Sequence, residues 1–196
     1  YIVNENTRES MIFGMKNDNF SSGMVKYVGH EIRAVIMNKL EMDVRDTVLL
    51  ANAESIAVEA SMVAYEGVVI AAERDAGSLR TMEENASKFG THNIEIIPEI
   101  TVEALEKLPT PRLAFIVAQK STIENDIVTL LKVNPKIKFI IYTLELDILA
   151  DIKYLMKKHG VDVTEVMQIA VSKVDKNGVF VAQPAPWMIT CEVKEK

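Results

Sequence analysis

Short apolar runs alternate with helix-length segments through the middle of this chain, and that alternation restricts the possible fold more than any other feature. The runs are Thr47 to Ala51, Val68 to Ala72, Ile94 to Ile97, Leu113 to Ala118 and Ile137 to Tyr142. Each is aliphatic and too short for a buried helix, so each reads as a strand covered on both faces. Strands joined by helical crossovers run parallel, which predicts one parallel sheet between two helical layers. The connecting segments carry helix signals of their own. Leu79, Met82, Ala86 and Phe89 repeat at helical spacing and stop at Gly90, where a left-handed C′ residue is favoured. Ser121-x-x-Glu124 reads as a capping box, with Pro135 closing the segment it opens. A further helix, about Leu146 to His159, ends at Gly160.

The two ends of the chain read differently. Met11 to Gly29 is irregular and places Phe13 and Phe20 as anchors, so residues 1–29 are taken as an N-terminal arm and residues 30–196 as one α/β domain. Ile32, Val35, Ile36 and Leu40 predict an amphipathic helix ahead of the sheet. Beyond Gly160 no helix intervenes between the β-rich stretch Val161 to Val174 and the runs Val179 to Ala182 and Met188 to Val193. Helix-free strands pair antiparallel, so a C-terminal hairpin turning at Asn177-Gly178 is expected to extend the sheet. The second parallel strand closes on Glu73, the place from which an acid holds the two hydroxyls of a ribose. Parallel strands, that acid and a terminal hairpin together describe a Rossmann-like fold of the class I methyltransferase kind better than a dinucleotide dehydrogenase.

Composition narrows the function. With 196 residues, 48% of them hydrophobic, the chain can bury a large core as one domain. A formal charge of -6 lowers the expectation of a nucleic-acid partner. No apolar run approaches the roughly 18 residues of a membrane span, and the opening Tyr1 to Ser10 shows no signal-peptide pattern, so a cytoplasmic location is expected. The single cysteine, Cys191, reads as a packing residue, and His30, His92 and His159 are too dispersed for a metal motif. The ten methionines, Met11, Met15 and Met24 among them, read as core filling.

Several segments, weak singly, are specific in their order and spacing: Phe13-Gly-Met-Lys-Asn-Asp-Asn-Phe20, His30-Glu-Ile-Arg-Ala34, Glu59-Ala60, Gly67 to Asp75, Glu83-Glu-Asn-Ala-Ser-Lys-Phe-Gly90, Glu103-Ala-Leu105, Phe115-Ile116, Ala170-Val-Ser-Lys173 and Ala182-Gln183. On these the chain resembles the decarboxylating precorrin methyltransferases of the precorrin-6Y C5,15 type, specifically their C15-methylating, decarboxylating domain. The resemblance implies S-adenosyl-L-methionine as cofactor, a precorrin tetrapyrrole as substrate within cobalamin biosynthesis, and a homo-oligomer. It assigns cofactor binding to Glu73 and to the turn Asn52, Ala53, Glu54 and Ser55, with Thr101 on the adenine side and Gln119 and Lys120 beside the substrate.

Measured against that family, the turn is altered. An acid followed by a glycine-rich run is replaced by Leu50-Ala51-Asn52-Ala53-Glu54-Ser55, about two residues shorter. Glycines there admit left-handed dihedrals that cost another residue about 1 to 2 kcal/mol. Glu54 places a carboxylate at the amino end of the next helix, where a ligand carboxylate would otherwise be received. Ile100, Val117-Ala118-Gln119-Lys120 and Val28-Gly29 also depart from the family's pattern. The sequence therefore supports two readings, a member of this enzyme family with an altered cofactor site or a catalytically silent binding module of the same fold. Trp187, flanked by Pro186 and Met188, is the expected anchor of self-association.

Overall fold

The structure, a computed structural model, describes residues 14–21 and 28–193. A 3₁₀ turn at Asn17–Asn19 precedes α1 (His30–Leu40). Strands and helices then alternate through β1 (Thr47–Ala51), α2 (Glu54–Val63), β2 (Val68–Ala72), α3 (Ala76–Phe89), β3 (Ile94–Ile97), α4 (Val102–Leu105), β4 (Leu113–Val117), α5 (Ile123–Val133), β5 (Lys138–Thr143) and α6 (Leu146–Lys158). The last part is β6 (Val161–Gln168), β7 (Ser172–Val174), β8 (Phe180–Ala182) and β9 (Trp187–Val193).

Seven strands form one sheet in the order β3-β2-β1-β4-β5-β9-β6. The first five are parallel, as the alternation requires, and β9 runs antiparallel between β5 and β6. One face is packed by α1, α2 and α3 through Ile36, Leu40, Ile56, Ala60 and Met82. The other is packed by α4, α5 and α6 through Leu105, Ile127, Leu130, Ile152 and Met156. Cys191 is fully buried on β9, and burial pushes its thiol up to about 12, so it is an inert packing residue as expected.

Two expectations need correction. The chain does turn at Asn177-Gly178, where the Asp175 carboxylate accepts from the backbone N–H groups of Asn177 and Val179 at 2.8 and 2.9 Å. The strands flanking that turn, β7 and β8, form a separate two-stranded ribbon, and the pair extending the main sheet is β6 with β9. Pro184 and Pro186 lie between β8 and β9 and have no N–H to donate, which interrupts the ladder and sets the tip off as its own ribbon, linked to the main sheet by the N–H groups of Ile169 and Gln183 donating to the carbonyls of Pro186 and Val171. The second correction concerns α5. Thr122 rather than Ser121 holds its N-cap position and makes no capping bond, while the backbone carbonyl of Gln119 accepts from the N–H groups of Thr122 and Ile123.

The arm is tied to the body by a buried ion pair. Arg33 on α1 is 1% exposed and Glu59 on α2 is 3% exposed, with Arg33 Nε donating to Glu59 Oε1 at 2.6 Å. The same carboxylate accepts from the backbone N–H groups of Gly14 and Met15, each at 2.8 Å. The guanidinium also donates to the carbonyl of Met15 and to Asn17 Oδ1, and lies 4.6 Å from the Phe20 ring centroid. Phe20 packs against Phe89 with the rings tilted and their centroids 5.1 Å apart, and Asn85 pairs with both backbone groups of Ser21. Gly14 has φ 78°, and a Cβ there would come within 2.7 Å of the carbonyl of His30, so glycine is required at this crossing. Phe20 is thus an anchor as expected, while Phe13, Met11 and Met24 lie outside the described residues.

Candidate functional site

Ligands of open α/β sheets bind at the carboxyl edge of the parallel strands, and here that edge divides into two halves. The first is the β1–α2 turn. Asn52 takes φ 56°, the left-handed conformation that the absence of glycine makes costly. Asparagine tolerates this region better than other side chains, and Asn52 is held in it from both sides. Its N–H donates to the carbonyl of Ala72 at 3.0 Å and its Nδ2 to the carbonyl of Val117 at 3.1 Å. The turn after β1 is thereby locked to β2 and β4. Ala53 follows as the N-cap of α2, buried and without a side-chain cap, and Glu54 and Ser55 open the helix.

Glu73 stands at the carboxyl end of β2, 3% exposed, and accepts a backbone hydrogen bond from Ala53. Burial pushes its carboxyl up to about 7, and the facing Glu54 and Asp75 push in the same direction. Burial also pushes Glu54 up to about 7. Behind them Arg74 reaches α5, where its Nη2 lies 2.5 Å from Oδ1 of the fully buried Asp126. Among the described residues, the buried side-chain nitrogens and oxygens without a partner are Glu54 Oε2, Glu73 Oε1, Arg74 Nη1, Thr122 Oγ1 and Asp126 Oδ2. Glu54, Glu73 and Arg74 follow the carboxyl ends of β1 and β2, which are neighbours in the sheet, whereas Thr122 and Asp126 interact with each other at the start of α5. Buried polar groups are satisfied almost everywhere in folded proteins, by protein or by ordered water, so the orphaned groups beside the β1–α2 turn make it the candidate place for a polar ligand. Thr101, by contrast, uses its hydroxyl to cap α4, accepting from the N–H of Ala104 at 3.2 Å.

The second half is a cavity of about 440 Å³ beside the end of β5. Its wall includes Tyr142 on β5, Lys16 on the arm, His30 and Glu31 at the start of α1, Lys173 on the ribbon and Gln183 beyond it. Glu31 is the hub, paired with His30 at 2.9 Å, with Lys173, and with Gln183 Nε2 at 3.3 Å. Burial works against its ionisation, yet Lys173 and the other donors hold its carboxyl at about 2. A Cβ on Gly29 would meet only the amide end of the Gln183 side chain, which can swing aside. Gln119 and Lys120 lie elsewhere, on an exposed turn where Lys120 pairs with Asp147 at 3.4 Å. The cavity residues come from the arm, α1, β5 and the ribbon. The only signal for them in the sequence was their scatter through the family-like segments around Lys16, His30, Lys173 and Gln183.

Strand order, the closing acid of β2 and the reversed strand β9 define a class I methyltransferase fold. Within that class, residues 23–193 match the precorrin methyltransferase domain, and the chain belongs to that family, a methyltransferase-type family of corrin biosynthesis. Precorrin-6Y C5,15-methyltransferase from Geobacter metallireducens superposes with a TM-score of 0.84 at 24% identity, over 93% of this chain and 97% of that one. Precorrin-8W decarboxylase from Methanobacterium thermoautotrophicum gives 0.76 at 19%, over 91% and 100%. The C-terminal domain of precorrin-6Y C5,15-methyltransferase from Rhodobacter capsulatus gives 0.71 at 14%, over 93% and 99%. No curated protein sequence matches the chain. Among the described residues no helix is long and apolar enough to cross a membrane, and no three His, Cys, Asp or Glu side chains group as a metal site.

S-adenosyl-L-methionine, which methyltransferases of this kind use, meets a divided site. Glu73, with a buried oxygen awaiting a donor, and the left-handed Asn52 turn fit a ribose. The amino-acid end does not fit, because Glu54 already supplies a carboxylate at the amino end of α2.

Proposed function

We propose that this chain holds one carboxylate-bearing edge of a corrin precursor in the cavity beside β5, as a tetrapyrrole-binding member of the precorrin methyltransferase family. The supporting observation is the cavity itself. It opens at the carboxyl end of β5, with Lys16 and Lys173 in its wall and Tyr142 lining it. Cations meet the propionate and acetate groups of such a molecule, and the ring rests on apolar surface. Self-association through the exposed residues of the β7–β8 ribbon belongs to the same proposal.

A second reading, decarboxylating methyl transfer from S-adenosyl-L-methionine, has support from Glu73 and Asn52, whose geometry suits the ribose. The mismatch at Glu54 favours the binding role. Titration with cobyrinic acid, a stable corrin polycarboxylate, followed through its visible bands, separates these from an unrelated function. Binding in the micromolar range is expected, weakened at least about fivefold, or roughly 1 kcal/mol, in both Lys16→Ala and Lys173→Ala. Absence of binding, or binding indifferent to both substitutions, overturns the tetrapyrrole assignment.

A further inference from the structure

The nucleoside half of the edge carries one acid more than a ribose requires. Glu73 has the position and the free oxygen to take two hydroxyls. Glu54 is one residue beyond the N-cap of α2, has its own buried oxygen without a partner, and stands close enough to Glu73 to act on its charge. The amino end of a ten-residue helix favours one negative charge. In this chain that charge is a side chain. Both carboxylates follow the carboxyl ends of neighbouring strands, Glu54 after β1 and Glu73 after β2, and Arg74 beside Glu73 is paired with Asp126. A ligand entering there meets the free acceptors of two glutamates; Arg74, committed through Nη2 to Asp126, keeps one buried donor, Nη1, and the anion position at the amino end of α2 is filled by Glu54.

We infer that this edge is a site for nucleosides whose 5′ substituent is cationic and carries no carboxylate, with Glu73 taking the ribose hydroxyls and Glu54 taking the cation. Glu54 is then the specificity-determining residue, rejecting the amino-acid carboxylate of S-adenosyl-L-methionine and accepting the same adenosyl sulfonium once that carboxylate is absent. The inference concerns the nucleoside half alone and stands whether or not a corrin binds in the cavity.

Two ligands that differ by one carboxylate isolate the effect, S-adenosyl-L-methionine and its decarboxylated form, S-adenosyl-3-methylthiopropylamine. Calorimetric titration of the whole chain at pH 8, where both glutamates ionise, is expected to show the decarboxylated ligand binding at least about tenfold tighter. In Glu54→Gln that ratio falls to about threefold or less, mainly through tighter binding of S-adenosyl-L-methionine. In Glu73→Gln both ligands weaken together, because the ribose contact is common to them. A melting curve for each variant shows that it is folded. A wild-type ratio near one, a ratio that survives Glu54→Gln, or no heat with either ligand at roughly millimolar concentration each overturns the inference. Cobyrinic acid binding, read by absorbance, is independent of all three outcomes.

Discussion

Replacing Glu59 by Gln tests whether the arm is part of the folded domain or merely rests against it. The substitution keeps shape and volume, so no cavity is created. The glutamate makes three hydrogen bonds, from Arg33 Nε at 2.6 Å and from the N–H groups of Gly14 and Met15 at 2.8 Å. The glutamine oxygen can keep those at Oε1, but its amide then faces the N–H of Gly14, donor against donor. Losing one charge-assisted bond costs about 1.5 to 3 kcal/mol, and removing one charge of a buried pair costs about 3 to 5 kcal/mol. Arg33 retains the carbonyl of Met15 and Asn17 Oδ1, so the lower end applies and about 3 kcal/mol is expected. Trp187 is the only tryptophan, and its fluorescence reports urea unfolding. At about 2 kcal/mol per molar urea the midpoint falls by about 1.5 M. Hydrogen exchange at Gly14 and Met15 accelerates in parallel. A midpoint displaced by less than about 0.3 M, about 0.6 kcal/mol at that slope, with both amides still protected, would falsify the account of the arm.

The carboxyl edge makes a pH-dependent contribution of definite sign. Glu54 and Glu73 are raised to about 7 in the folded chain, so the stability they contribute is complete below their unfolded value near 4.5 and is lost as pH rises through 7. Glu73→Gln therefore flattens urea stability between pH 5 and 8 and at pH 8 equals or exceeds the parent by on the order of 2 kcal/mol; an unchanged slope refutes this. The ribbon exposes Val174, Val179, Phe180 and Val181, with Phe180 78% exposed, whereas Trp187 is half-buried against the core. Light scattering is expected to show an oligomer that Phe180→Asp dissociates and Trp187→Ala does not; a monomeric parent, or an oligomer indifferent to Phe180→Asp, removes the ribbon from this role.

The central sheet was legible because its signal is local. Thr47 to Ala51, Val68 to Ala72 and Ile94 to Ile97 are found with those bounds, and the next two strands differ by a residue at their ends. Detachment of the hairpin tip was less visible, since it depends on where Pro184 and Pro186 fall in the register and not on their presence. Asn52 shows the limit of reading a missing glycine as a missing conformation. Its side chain obtains from Val117, 65 residues away, the support that makes a left-handed turn tolerable. Glu73 and Glu54 were recognisable from their places at a strand end and a helix start. The cavity was not, because Lys16, Glu31, Tyr142 and Lys173 meet only when arm, sheet and ribbon come together, and a charged residue in a half-exposed segment carries no sign of its partner.

The position of β9 has a consequence for how this chain acquires its shape. β5 and β6 are consecutive strands of the main sheet, yet they do not pair with each other; the segment from Trp187 to Val193 lies between them. During synthesis from the amino end, β5 has a bare edge and β6 has no place to dock until that segment emerges. The helices and the first five strands can assemble earlier, but their open flank presents the backbone of Phe139 to Thr143 to any passing strand. Such pairings over long sequence separation form slowly and leave intermediates prone to association. The last strand therefore acts as a keystone, and deletions reaching into it should release chains to chaperones and proteases even when every residue of the ligand-binding edge is intact.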